Sequence, residues 1–167
     1  MGNPIKRAWN SLVDFITGGP TPTQSEGPAL KDGDSYRNAI IIDKGKQHLY
    51  SYDSSGRLVF HTPVSTGKNP GNKTVEGDNK TPVGKFNISR YEDYRDPKVF
   101  GSPHFWRLRG TGFSGIGIHG DAGQPHRIGQ PASHGCIRMP TDSIPSFQKK
   151  AKPFEGQTVY ILDEQGK

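Results

Sequence analysis

Glycine and proline interrupt this chain too often for it to be built from long helices. The 167 residues include 22 glycines and 14 prolines. Glycine adds backbone entropy that folding must overcome, and proline lacks the amide that a helix interior needs. Aliphatic and aromatic residues make up only 30%. A helical bundle is therefore excluded, and short strands joined by many turns are expected. The length allows one domain with a sizeable core plus a short extension.

Apolar spacing divides the chain into three parts. Ile5, Trp9, Leu12, Val13 and Ile16 recur at intervals of three and four, which predicts an amphipathic helix within residues 1–17. Gly18-Gly19-Pro20 would end it, and residues 18–36 read as a Pro/Gly/Ser-rich linker. From 37 to 167 the spacing becomes that of strands. Ala39 to Asp43 and Gln47 to Tyr52 flank a turn at Lys44-Gly45, and Leu58 to Val64, Val83 to Ser89, Gly115 to His119 and Thr158 to Leu162 read as further strands. Thr66 to Thr81 is a polar loop of 16 residues, long for a plain connector and a candidate lid edge. Tyr91, Tyr94, Phe100, Phe105 and Trp106 crowd the segment before Gly115, where they form either a wall for a substrate or a satellite apolar cluster. Thr141 or Asp142 is placed to cap a short helix through Ala151.

Charge and hydropathy narrow the partners. A formal net charge of +6 favours an acidic partner, although a solvated surface would carry the same excess. The basic residues form no run and no recognition motif, so nucleic acid is not expected. No stretch of ~18 apolar residues exists to span a membrane. At the N-terminus, Asn10, Ser11 and Asp14 break the apolar residues, so the hydrophobic core of a secretory signal is not expected there.

The chemistry concentrates around the chain's single cysteine, Cys136. It lies in Ser133-His134-Gly135-Cys136-Ile137-Arg138, and His119 lies 17 residues upstream in Ile118-His119-Gly120. A free thiol ionises near ~8.5, so it becomes a useful nucleophile at neutrality when an imidazole takes its proton. His134 and Arg138 add positive charge that favours thiolate, and Gly135 lets a backbone or substrate approach. Two other readings stand beside this one: an inert buried thiol, and a zinc site using His104, His119, His126, His134 and Cys136. The zinc reading is weakened because only His134 and Cys136 lie close in sequence and no second thiol is present.

These residues resemble the catalytic domain of the L,D-transpeptidases, the YkuD-type family that works on bacterial peptidoglycan. The likeness rests on four blocks in order: Pro63-Val64-Ser65-Thr66-Gly67, Thr81-Pro82-Val83-Gly84-Lys85-Phe86, His119-Gly120, and Ser133-His134-Gly135-Cys136-Ile137-Arg138-Met139. It covers roughly residues 38–163. The resemblance implies a mainly β fold, a YkuD-like β-sandwich or barrel with one or two short helices. It implies Cys136 as nucleophile, His119 as general base, the Gly120 carbonyl as the group orienting the imidazole, and the Gly135 and Cys136 amides as the oxyanion hole. Ser133 and His134 would shape the pocket, with Phe105 and Trp106 as a candidate wall. Arg138 would bind a substrate carboxylate.

The implied reaction forms a Cys thioester on a tetrapeptide stem and releases D-alanine. Transfer to another stem gives a 3-3 cross-link, transfer to a free D-amino acid gives exchange, and water makes the enzyme an L,D-carboxypeptidase. No metal or organic cofactor is needed. A peptidoglycan-binding module without turnover is the rival of another class. Family members work in the periplasm or cell wall. Either a natural signal lies outside this sequence, or export runs by a signal-independent system, and delivery as an antibacterial effector would bring secretion-system or immunity partners.

Overall fold

A computed structural model describes residues 27–167. The amphipathic helix expected within residues 1–17, and most of the 18–36 linker, lie outside them. The strands are β1 (Ala39–Asp43), β2 (His48–Tyr52), β3 (Leu58–Pro63), β4 (Gly84–Glu92), β5 (Phe105–Arg109), β6 (Gly117–His119), β7 (Ile137–Arg138) and β8 (Thr158–Leu162). They form one eight-stranded sheet in the order β3-β2-β1-β8-β4-β5-β6-β7. Most neighbours are antiparallel, but β1 and β8 run parallel, as do β6 and β7.

The sheet curls until its two edges touch. Past the end of β3, Ser65 bridges to Arg138 and Gly67 to Ser133. This closure places the segment after β3 against the cysteine-bearing segment. Inside the curl, Ile40, Leu49, Ile88, Trp106, Ile118 and Ile137 belong to one buried cluster. Ala39, Ile41, Tyr52 and Tyr160 pack on the other face of the sheet. Both faces of β1 are thus covered, which explains its unbroken apolar run Ala-Ile-Ile-Ile.

Helices are short and peripheral. Helix α1 (Pro97–Phe100) begins at Asp96, whose carboxylate accepts the Lys98 amide at 3.0 Å, and ends at Gly101 in the left-handed region. A 3-10 turn over Thr141–Ser143 leads into α2 (Ile144–Ser146) and a π-type turn over Phe147–Ala151. Phe147 pins this segment to the core against Trp106 and Phe60. No helix among the described residues is long and apolar enough to cross a membrane.

Candidate active site

Strand alternation brings the chemistry to one face. In the parallel pair β6–β7, Ile118 lies opposite Ile137 and His119 opposite Arg138. The two isoleucines enter the core. Side chains one residue away must then point outward, so His119, Cys136 and Arg138 share the outer face. Cys136 and His119 are diagonal neighbours there, a relation long side chains can bridge. Together with Ser133, His134, Lys73 and Phe100 they border a cleft of about 610 Å³.

Hydroxyl groups brace the cysteine turn. Thr81, fully buried, donates its hydroxyl to the Gly135 carbonyl at 2.7 Å and accepts the Gly67 amide at 2.8 Å. Ser133 donates to the Cys136 carbonyl at 2.6 Å and accepts the Gly135 amide at 3.1 Å. Gln47 holds the facing strand by bonding Thr66 through both its amide nitrogen and its carbonyl. Gly135 sits at φ 142°, where a Cβ would press on the Lys80 carbonyl at 3.0 Å. Glycine is therefore required at this turn.

The imidazole of His119 is almost fully enclosed. Phe105 stacks beneath it with centroids 5.7 Å apart and planes 11° apart, and Phe100 meets it edge-on at 5.1 Å. Nδ1 lies 3.4 Å from the Phe100 carbonyl, with a smaller contribution from the Gly120 backbone. A proton on Nδ1 leaves the other ring nitrogen, Nε2, as acceptor. Gly120 has to be small, because a Cβ would lie 2.7 Å from Thr141 Oγ1 and 2.8 Å from that same Phe100 carbonyl.

Burial dominates the electrostatics. It lowers His119 to about 4, against the opposing pull of the Phe100 carbonyl and with help from Arg138 and Arg95. It also raises Cys136, although a Gly117 backbone hydrogen bond and Arg138, Arg107 and Arg95 act the other way. The thiol donates to the Gly115 carbonyl at 3.0 Å. Thiol and imidazole are thus both neutral at pH 7 in the free protein. This direction runs against a resting thiolate, because desolvation outweighs the arginines.

Residues 37–161 match the family model described as the YkuD L,D-transpeptidase catalytic domain. The chain belongs to this family. An L,D-transpeptidase of Xylanimonas cellulosilytica is 23% identical at a TM-score of 0.56, the match covering 92% of this chain and 69% of that one. The helical cell shape determining protein of Campylobacter jejuni is 25% identical at 0.61, over 75% of this chain and 47% of that one. For an Enterococcus faecium L,D-transpeptidase the values are 22% and 0.55, over 74% and 49%. This chain therefore spans less than half the length of the last two. No curated protein matches it.

Two residues of the expected L,D-transpeptidase pocket sit elsewhere than the cleft lining. Phe105 lies under His119 and is 1% exposed. Trp106, the next residue, points to the opposite face, packs on Tyr91 and Phe147, and borders a separate hollow. Arg138 reaches Gln124 at 3.2 Å through Nη1, while its Nε is buried without a hydrogen-bond partner. His134 is exposed at the cleft rim. Phe100, one of the aromatics expected to form a wall or a satellite cluster, does line the cleft, but its carbonyl also faces His119, and sequence reasoning passed over Glu92. That buried carboxylate pairs with Arg90, Arg95 and Arg107. Arg95 and Arg107 in turn pack on the Phe105 ring, at 4.4 and 5.3 Å. The run of aromatics around Phe105 concealed this charged support.

Proposed function

We propose that residues 37–167 act as a peptidoglycan L,D-transpeptidase through a thioester on Cys136. The observation that supports it best is the shared cleft of His119 and Arg138, on adjacent parallel strands, and Cys136, just before the second of them. In this reading Arg138, with an unsatisfied Nε, binds a carboxylate of a tetrapeptide stem. The sulfur attacks the carbonyl between the L-centre of diaminopimelate and the terminal D-alanine, and Nε2 of His119 takes the thiol proton. The Cys136 amide receives the developing oxyanion; the Gly135 amide joins it when Ser133 releases its hydrogen bond. Collapse of the tetrahedral species breaks the C–N bond, and the imidazolium protonates the departing D-alanine amine. A stem amine, a free D-amino acid or water then attacks the thioester.

Mass spectrometry of a disaccharide-tetrapeptide, with and without a free D-amino acid, reads cleavage, exchange and cross-linking together. Loss of D-alanine is expected, and Cys136→Ala should abolish it while leaving the fold intact. Release retained by that variant would remove the nucleophile. The family's substrate supports action in the periplasm or cell wall.

A further inference from the structure

Far along the sheet order from β6 and β7, two histidines meet on the face turned away from the inner core. Tyr50 on β2 lies opposite His61 on β3, and His48 lies opposite Pro63. His48 and His61 are therefore diagonal neighbours on one face of the edge hairpin. His48 Nε2 and His61 Nδ1 stand 2.9 Å apart, with ring centroids 5.1 Å apart and planes 30° apart. Tyr50 closes one side, its ring 4.9 Å from that of His48. His61 is exposed and His48 half-buried, so solvent reaches the pair.

We propose that His48 and His61 form a two-nitrogen site for a divalent copper ion. The separation is that of an N–H···N contact, and it is also one that a metal ion can bridge. Two nitrogens bound at about 2.05 Å and at right angles stand about 2.9 Å apart, whereas a tetrahedral zinc ion separates them to about 3.3 Å. Right-angled donors suit the tetragonal preference of Cu(II), which also heads the affinity order of the divalent series. Without the ion, one N–H lies between the two rings. Binding requires that proton to move to the distal nitrogen of the same ring, so each imidazole stays neutral and no proton is lost overall.

The surroundings fit a cation. Asp43, opposite His48 on β1, adds negative charge, and Lys46 opposes it. No third His, Cys, Asp or Glu completes a metal cluster among the described residues. Water therefore fills the remaining positions. An ion held here would clip the edge strand β3 to β2.

The test uses the full chain carrying Cys136→Ser, because a thiol would itself bind and reduce copper. Copper titration followed by electron paramagnetic resonance should show one equivalent bound with two nitrogen donors. His61→Gln should raise the dissociation constant roughly tenfold or more and remove one nitrogen from the spectrum, because the second donor acts at high effective concentration. His48→Gln should do the same. If it fails to fold, the exposed His61→Gln variant decides alone. An unchanged spectrum and affinity in His61→Gln would overturn the site. Zinc binding as tightly as copper would overturn the right-angled geometry.

Discussion

Thr81→Val isolates the strut beneath the cysteine turn. The valine keeps the volume of the buried side chain but deletes a hydroxyl that serves the Gly135 carbonyl at 2.7 Å and the Gly67 amide at 2.8 Å. Each buried polar group left without a partner costs about 1–3 kcal/mol. The two losses share one atom and will not simply add, so about 2–4 kcal/mol is expected for the variant. With a urea slope of roughly 2 kcal/mol per molar, the unfolding midpoint should fall by about 1–2 M. Cys136 follows Gly135 directly, so release of the turn should also slow D-alanine release by about 10–100-fold. Thr81→Ser keeps the hydroxyl and loses one methyl, which costs about 1 kcal/mol. Urea unfolding of both variants, with D-alanine release measured beside it, gives the comparison. If valine shifts the midpoint by less than about 0.3 M and leaves the rate within about twofold, the turn is held by something other than Thr81.

Two further predictions concern protons. Alkylation of Cys136 by iodoacetamide should rise with pH through a midpoint above the free-thiol value of ~8.5, because burial raises this thiol. A plateau already reached at pH 7 would contradict a neutral resting pair. For His119, the folded value of about 4 lies below the ordinary ~6.5, so the unfolded chain takes up this proton first. Its contribution to stability is complete above pH ~6.5 and is lost as pH falls toward 4, by about 3 kcal/mol in all. His119→Gln should remove the His119 share of the slope in that window and make the variant curve shallower than the parent's, as read by urea unfolding at a series of pH values. Glu92, which its three arginines hold at about 2 against the upward push of burial, loses its share between its ordinary 4.5 and about 2, at the lower edge of that window, while His48, also lowered to about 4, falls within it in parent and variant alike. A variant curve parallel to the parent would mean that His119 is protonated in the folded state.

Local pattern carried much of the fold, and non-local closure carried the rest. Strands β1 and β8 begin and end where their apolar runs do, at Ala39–Asp43 and Thr158–Leu162. Strand β5 was hidden because Phe105 and Trp106 are both buried, on opposite faces, which erases the alternation that marks a half-exposed strand. The curl that joins Ser65 to Arg138 depends on residues 73 positions apart and leaves no local trace. In the site, Cys136 and His119 were legible as chemistry, and the structure brings them to one cleft. The carbonyl that orients His119 was not, because a backbone oxygen of Phe100 has no side-chain signature. Ionisation was not legible either, since it turns on burial, which only the packed structure reveals.

A neutral thiol beside a weak base still leaves room for catalysis, but it constrains how the proton moves. Arg138 and Arg95 lower both Cys136 and His119. Transfer from sulfur to imidazole creates one negative and one positive charge, so a cation close to both favours one product and opposes the other. These arginines therefore cannot drive the transfer by themselves. From a thiol raised by burial to an imidazole lowered to about 4, the step is uphill. A turnover near 1 per second corresponds to a total barrier of about 17 kcal/mol, which has to include that climb as well as attack on the carbonyl. The climb is smallest if negative charge does not rest on sulfur. Proton transfer should accompany carbon–sulfur bond formation, so that the charge passes directly to an oxygen held by the Cys136 amide. Placement of that amide then matters as much as the basicity of His119, and Thr81 and Ser133 are the residues that place it.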